Sequence, residues 1–150
     1  MTRKTIISSL ITALKNIDGT GTYSVDVENR VYDWRKKPLF DKDVPALIVY
    51  DNKDNIDPEE MSGSSNEWTH KLEIEIEFVC KPGSISADSI RDLITDVYAA
   101  LGTDRTLGGS CLSVYGVSDS ITIPDEQLKE IIAGAVINIY ALYQTDAFTN

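Results

Sequence analysis

The stretch I-I-A-G-A-V-I-N-I-Y-A-L-Y, Ile131 to Tyr143, decides how the rest of the chain must be arranged. It carries no charge and is rich in Val, Ile and Tyr, so β-branched and aromatic enrichment favours a strand over a helix. Period-two geometry puts Ala133, Ala135, Ile137, Ile139, Ala141 and Tyr143 on one face. Ile132, Gly134, Val136, Tyr140 and Leu142 take the other. A strand apolar on both faces is expected in the interior of a sheet, covered from both sides. Gly134 removes a side chain, which predicts close packing at that point. The run falls short of the roughly 20 residues a membrane-spanning helix needs.

Outward from this strand, the pattern alternates between helices and strands. Residues 3–17 have the spacing of an amphipathic helix, with Ile6, Ile7, Leu10, Ile11, Leu14 and Ile17 on one side, Thr2 as its cap and Gly19 at its end. Tyr23, Val25 and Val27 alternate with Ser24, Asp26 and Glu28, which predicts a half-exposed strand. Val44 to Tyr50 reads as a short buried strand, with Pro45 near its start where a missing N–H does least harm. Glu67 to Cys80 alternates most clearly: Leu72, Ile74, Ile76 and Phe78 face one way, and Glu73, Glu75 and Glu77 the other. Ser86 caps a helix expected over 87–101, with Asp88 at its positive end and Gly102 as its stop. A further strand region covers 111–123, with a break expected at Gly116. The order predicts a single α+β domain over 1–150: an antiparallel or mixed β-sheet with two α-helices packed on one face.

Composition narrows the function. The chain has 150 residues and a formal net charge of −10. That argues against holding a nucleic-acid backbone, which takes clustered Lys and Arg. It leaves open surrounding DNA without binding it, since an acidic wall repels phosphates. Cys80 and Cys111 are far apart and lack metal-type spacing, so both are expected as partly buried thiols in a reducing cytoplasm. No signal-peptide core or membrane span is visible, so a soluble protein is expected.

Three groups of residues stand out. Glu73, Glu75 and Glu77 line one face of one strand, as a solvated surface or as the wall of a channel. Arg35, Lys36 and Lys37 form the basic run after Trp34 and suit a solvated loop or a protein contact. Residues 51–66 form a polar, acidic loop in which Asp51, Asp54, Asp57, Glu59 and Glu60 could bind a divalent cation loosely. The loop fails as an EF-hand: from Asp51 the glycine position is Ile56 and the final glutamate position is Ser62. No triad, phosphate loop, dinucleotide fingerprint or zinc spacing is present, so neither a cofactor nor catalysis is expected. His70, alone on an apolar face, reads as a packed or edge residue.

The chain resembles tail terminators of long-tailed bacteriophages, the minor tail protein U type, also called tail completion proteins. Four pieces carry the resemblance: I-I-S-S-L-I-T-A-L-K-N-I running into G-T-G-T-Y-S-V-D-V; P-A-L-I-V-Y before the acidic loop; W-T-H-K-L-E-I-E-I-E-F-V-C before I-R-D-L-I-T-D-V-Y-A-A-L-G-T-D-R-T-L-G-G; and A-G-A-V-I-N-I-Y-A-L-Y-Q-T. The resemblance implies a non-enzymatic α+β protomer, encoded by a phage or prophage, that forms a homo-oligomeric ring, commonly a hexamer. Such a ring caps the tail tube, ends its polymerisation and meets the head–tail connector protein. DNA passes through it without specific binding, and no membrane is involved. The place implied is the virion tail, reached from the host bacterial cytoplasm during assembly. A head–tail connector or neck subunit and a stand-alone binding module are the alternatives.

Overall fold

The computed structural model describes residues 1–35, 37–56, 67–81, 83–122 and 130–146. In chain order these form α1 (Arg3–Leu14), β1 (Val31–Asp33), a 3-10 turn (Asp41–Asp43), β2 (Ala46–Ile56), β3 (Glu67–Cys80), α2 (Ala87–Thr103), β4 (Ser113–Ile121) and β5 (Ile132–Asp146). The strands make one sheet in the order β1-β2-β3-β5-β4. β1 runs parallel to β2 and every other pairing is antiparallel. The fold is α+β with a mixed sheet, and both helices lie on one side of it. α1 covers the β1–β2 side and α2 the β5–β4 side.

The core follows from the alternation. Leu72, Ile74, Ile76 and Phe78 of β3 meet Ala135, Ile137, Ile139 and Ala141 of β5 beneath Ile6, Leu10 and Leu14 of α1 and Ile90, Leu93 and Val97 of α2. All are essentially excluded from solvent. The small side chains of β5 let the helices approach, and burial of this one face supplies most of the driving force for folding. β5 is interior, flanked by β3 and β4, as the opening stretch predicts.

Its second face departs from expectation. Val136, Asn138, Tyr140 and Leu142 are half-buried rather than covered, because no layer lies over the middle of that face. The alternation also breaks at Gly134. Phe78 pairs with Ala135 but Val79 with Ala133, leaving Gly134 as the extra residue of a β-bulge. Ala133 thus lies opposite Val79, which belongs to the cluster on the helix-free face, while Ala135 belongs to the helix-side core. A Cβ on Gly134 would come within 2.9 Å of Cys80 Sγ and 3.4 Å of Ile90 Cδ1, the close approach its position implies.

Two helix boundaries also move, and one expected strand does not form. α1 ends at Leu14, with Lys15 as its C-cap, and Gly19 sits in the following turn at φ 73°. Residues 23–28 keep their alternating burial, with Val25 and Val27 inside, but form no strand beyond an isolated Asp18–Asp26 bridge. The side chain of Asp96 on α2 takes the hydrogen bonds a neighbouring strand would otherwise supply: Oδ2 accepts from the N–H groups of Ser24 at 2.8 Å and Val25 at 2.9 Å. α2 runs through Gly102 to Thr103. The turn after it is organised by the Asp104 carboxylate, which accepts from Thr106 and Gly108.

Candidate functional surface

The acidic stripe lies on the sheet face away from the helices. Glu73, Glu75 and Glu77 pair with Tyr140, Asn138 and Val136 of β5, so all three point the same way. Glu73 is exposed, and Glu75 and Glu77 are half-exposed. Like charges at this spacing repel mildly and need polar neighbours. Asn55 Nδ2 donates to Glu73 Oε1 at 2.9 Å. Burial, followed by the charge and hydrogen bond of Glu77 and the charge of Glu75, pushes the Tyr50 phenol above its ordinary range.

Beside the stripe runs a row of stacked groups that alternation alone does not reveal. Arg105 lies 4.9 Å from the Tyr115 ring centre, Tyr115 stacks on Tyr140 at 5.0 Å, and Lys71 lies 4.3 Å over Tyr140. The row crosses β4, β5 and β3, and its cations are occupied by aromatic faces. Between the row and the stripe, Lys71, Glu73, Glu75, Val117, Asn138 and Tyr140 contribute to a depression of about 330 Å³. The surface therefore offers fixed negative charge edged by aromatic rings. It suits a cation or a water layer and disfavours phosphate.

The basic run is only partly available. Arg35 Nη2 is 3.3 Å from Asp43 Oδ2, and its guanidinium lies 4.2 Å over the Tyr32 ring. Lys37 is exposed, and Lys36 lies outside the described residues. Arg35, Lys37 and Glu77 line one depression of about 510 Å³, so the basic loop and one end of the stripe are neighbours within a single chain. This loop, through Leu39, also helps cover a small apolar cluster of Ala46, Ile48 and Val79. Part of the helix-free face is therefore closed by the chain itself.

β2 runs further into the acidic stretch than its polarity suggests. Asp51 to Ile56 continue β2 and pair with Ile74 to His70 of β3. Asp51 and Asp54 are strand residues facing the helix side; Asp57, Glu59 and Glu60 lie outside the described residues. Both aspartates are already engaged. Asp51 accepts from Arg3 Nε and from the Trp34 indole N–H, and its backbone carbonyl accepts from Arg3 Nη2. Burial pulls its carboxyl up, but the Trp34 and Arg3 hydrogen bonds outweigh it and hold the group below the usual range. Asp54 accepts from the Tyr143 hydroxyl and lies 3.3 Å from His70 Nδ1. His70 stacks on Tyr143 at 4.6 Å, and its Nε2 is 2.9 Å from Thr145 Oγ1. Burial, followed by the Asp54 hydrogen bond and charge, raises the Tyr143 phenol far above its ordinary range.

These partners turn a polar run into strand. The side chains find charge and hydrogen bonds on α1, β3 and β5, which local sequence cannot display. Among the described residues, no group of three or more His, Cys, Asp or Glu is placed to hold a metal ion. Cys80 and Cys111 are free and buried, and burial with the Asp104 charge pushes the Cys111 thiol up to about 11. No described helix is long and apolar enough to cross a membrane. Comparison with protein-family models gives no match, and comparison with curated proteins gives none either.

Proposed function

We propose that this chain is a structural subunit of a long-tailed phage tail, a tail terminator that assembles into a ring, caps the tail tube and meets the head connector. The observation that carries the reading is the placement of Glu73, Glu75 and Glu77 in one line on the helix-free face, with two helices closing the opposite face. A ring that turns this face toward its axis repeats the stripe once per protomer. Salt at physiological strength limits such fields to about 8 Å, the range within which DNA in a narrow hole would lie. The wall then repels phosphate and lets DNA slide. The net charge of −10 agrees with such a role. The residue and motif resemblance to tail terminators supports the same reading, and a hexamer is the ring size it implies.

The test is electron microscopy of the purified protein added to growing tail-tube protein. Rings seated on tube ends and arrest of elongation are the expected result. Tubes that lengthen as they do without the protein overturn the reading. Rings that bind the head connector but ignore tubes would assign the chain to the neck instead.

A further inference from the structure

Among the described residues the sheet has two uncovered flanks, and they differ from each other. On one side β4 is the edge strand, exposed for most of its length. Among the described residues only its start is covered, where Val114 N–H donates to the Arg105 carbonyl at 2.8 Å. On the other side β1 shields β2 only at Leu47–Val49, and Arg3 takes the Asp51 carbonyl. From Lys53 to Ile56 no described backbone pairs with the outer edge of β2. Open strand edges invite pairing with another chain, and natural proteins rarely leave them bare.

The exposed apolar side chains sort the same way. Among the described residues and apart from Met1, every exposed large hydrophobic lies on one of these flanks. Trp34 and Ile56 belong to the β1–β2 side, with Phe40 in the loop joining those strands, and Leu112, Val117 and Ile121 to the β4 side. Val117, the extra residue of a bulge between Gly116 and Ser118, is 60% exposed, and Phe40 is 63% exposed. Among the described residues the backs of the helices carry none, and Val117 also lines the depression on the acidic face. A groove of about 790 Å³ runs along the β1–β2 flank between α1 and Trp34, with Ile7 and Ile11 among its apolar lining. Charge differs as well. The groove is lined by Arg3, Lys4 and Lys15 against Asp33 and Asp51, a net positive set, whereas β4 exposes Asp119, with Arg105 at its start.

We infer that these flanks are the two halves of one head-to-tail contact between copies of this chain, the β4 flank of one protomer seating against the α1–β2 groove of the next. Two different surfaces that fit each other make a heterologous contact, which propagates around a ring rather than closing as a two-fold dimer. Strand edges contribute backbone hydrogen bonds, and the apolar side chains contribute burial. The inference rests on the ring reading and supplies its contact surface.

Two double variants test it: Val117→Lys with Ile121→Lys on the β4 flank, and Phe40→Lys with Ile56→Lys on the other. All four side chains are exposed, so unchanged circular dichroism and melting confirm folding. The wild-type chain should scatter light as a multiple of 16.6 kDa. Each variant alone should fall to a single protomer, with association weakened on the order of 100-fold or more. Mixed in equal amounts, the variants retain one intact half each and should form a two-chain species and nothing larger. A variant that keeps the wild-type mass overturns the inference and leaves the ring reading standing, with its contact elsewhere. Monomers that fail to pair on mixing also overturn it. A wild-type chain that stays monomeric, both alone and on tail tubes, overturns the inference and the ring reading together.

Discussion

Asp96 shows what a single buried carboxylate does here. It is 3% exposed, and one oxygen holds two consecutive backbone N–H groups of the 17–28 segment against α2. Those amides have no strand beside them, so the carboxylate is their partner. A buried amide left without an acceptor costs about 1–3 kcal/mol. Asp96→Ala is therefore expected to lower stability by about 3 kcal/mol, with Asp96→Asn recovering part of the loss through its remaining oxygen. Urea unfolding measures both. An alanine variant as stable as the parent would mean that water or another group satisfies the amides. Val25 and Val27 are legible in the sequence as inward-facing residues. That their backbone answers to Asp96, which sits in a run read as an ordinary helix, is not.

At the scale of elements, the sheet should be graded in stability from its interior to its edge. β3 and β5 pair along nearly their whole lengths, and β5 is also held by β4. β4 has one neighbour and is largely exposed. Amide exchange in the monomeric flank variants is expected to be slowest in β3 and β5 and distinctly faster in β4. Equal protection of β4 and β5 in a monomer would show that the β4 edge is already covered. The bulge at Gly134 belongs to the same scale. It reverses the alternation between Ala133 and Ala135, so one strand serves the helix-side core along most of its length and the loop-covered cluster at its start.

For the whole molecule, the acidic face is the feature most directly tied to the proposed function. Replacing Glu73, Glu75 and Glu77 together by Lys changes the charge of one continuous surface without touching the core. The protomer is expected to stay folded and the proposed ring intact, while DNA is retained with an affinity that falls steeply as salt rises. Filter binding at several salt concentrations, with light scattering for mass, reads both outcomes. Rings that dissolve would place the stripe at a subunit contact. Intact rings without DNA affinity would place it on the outside.

Ile131 to Tyr143 is legible as an interior strand because an uncharged, β-branched run of that length has few other homes. The stripe on β3 is legible because strand geometry alternates strictly, and α2 because its cap and apolar spacing agree. These are local signals, carried by neighbours in the chain. The exceptions depend on distant partners. Asp51 to Asn55 look like loop and form strand because Arg3, Trp34 and Tyr143 satisfy Asp51 and Asp54 from other elements. Residues 23–28 look like strand and pair with a helix side chain. Arg35 looks like free positive charge and is held by Asp43 and Tyr32. Periodicity records which way a side chain points. Which groups meet across the sheet, and which flanks remain open, is decided only when the strands take the order β1-β2-β3-β5-β4, because charge pairing and edge exposure depend on contacts between residues far apart in the chain.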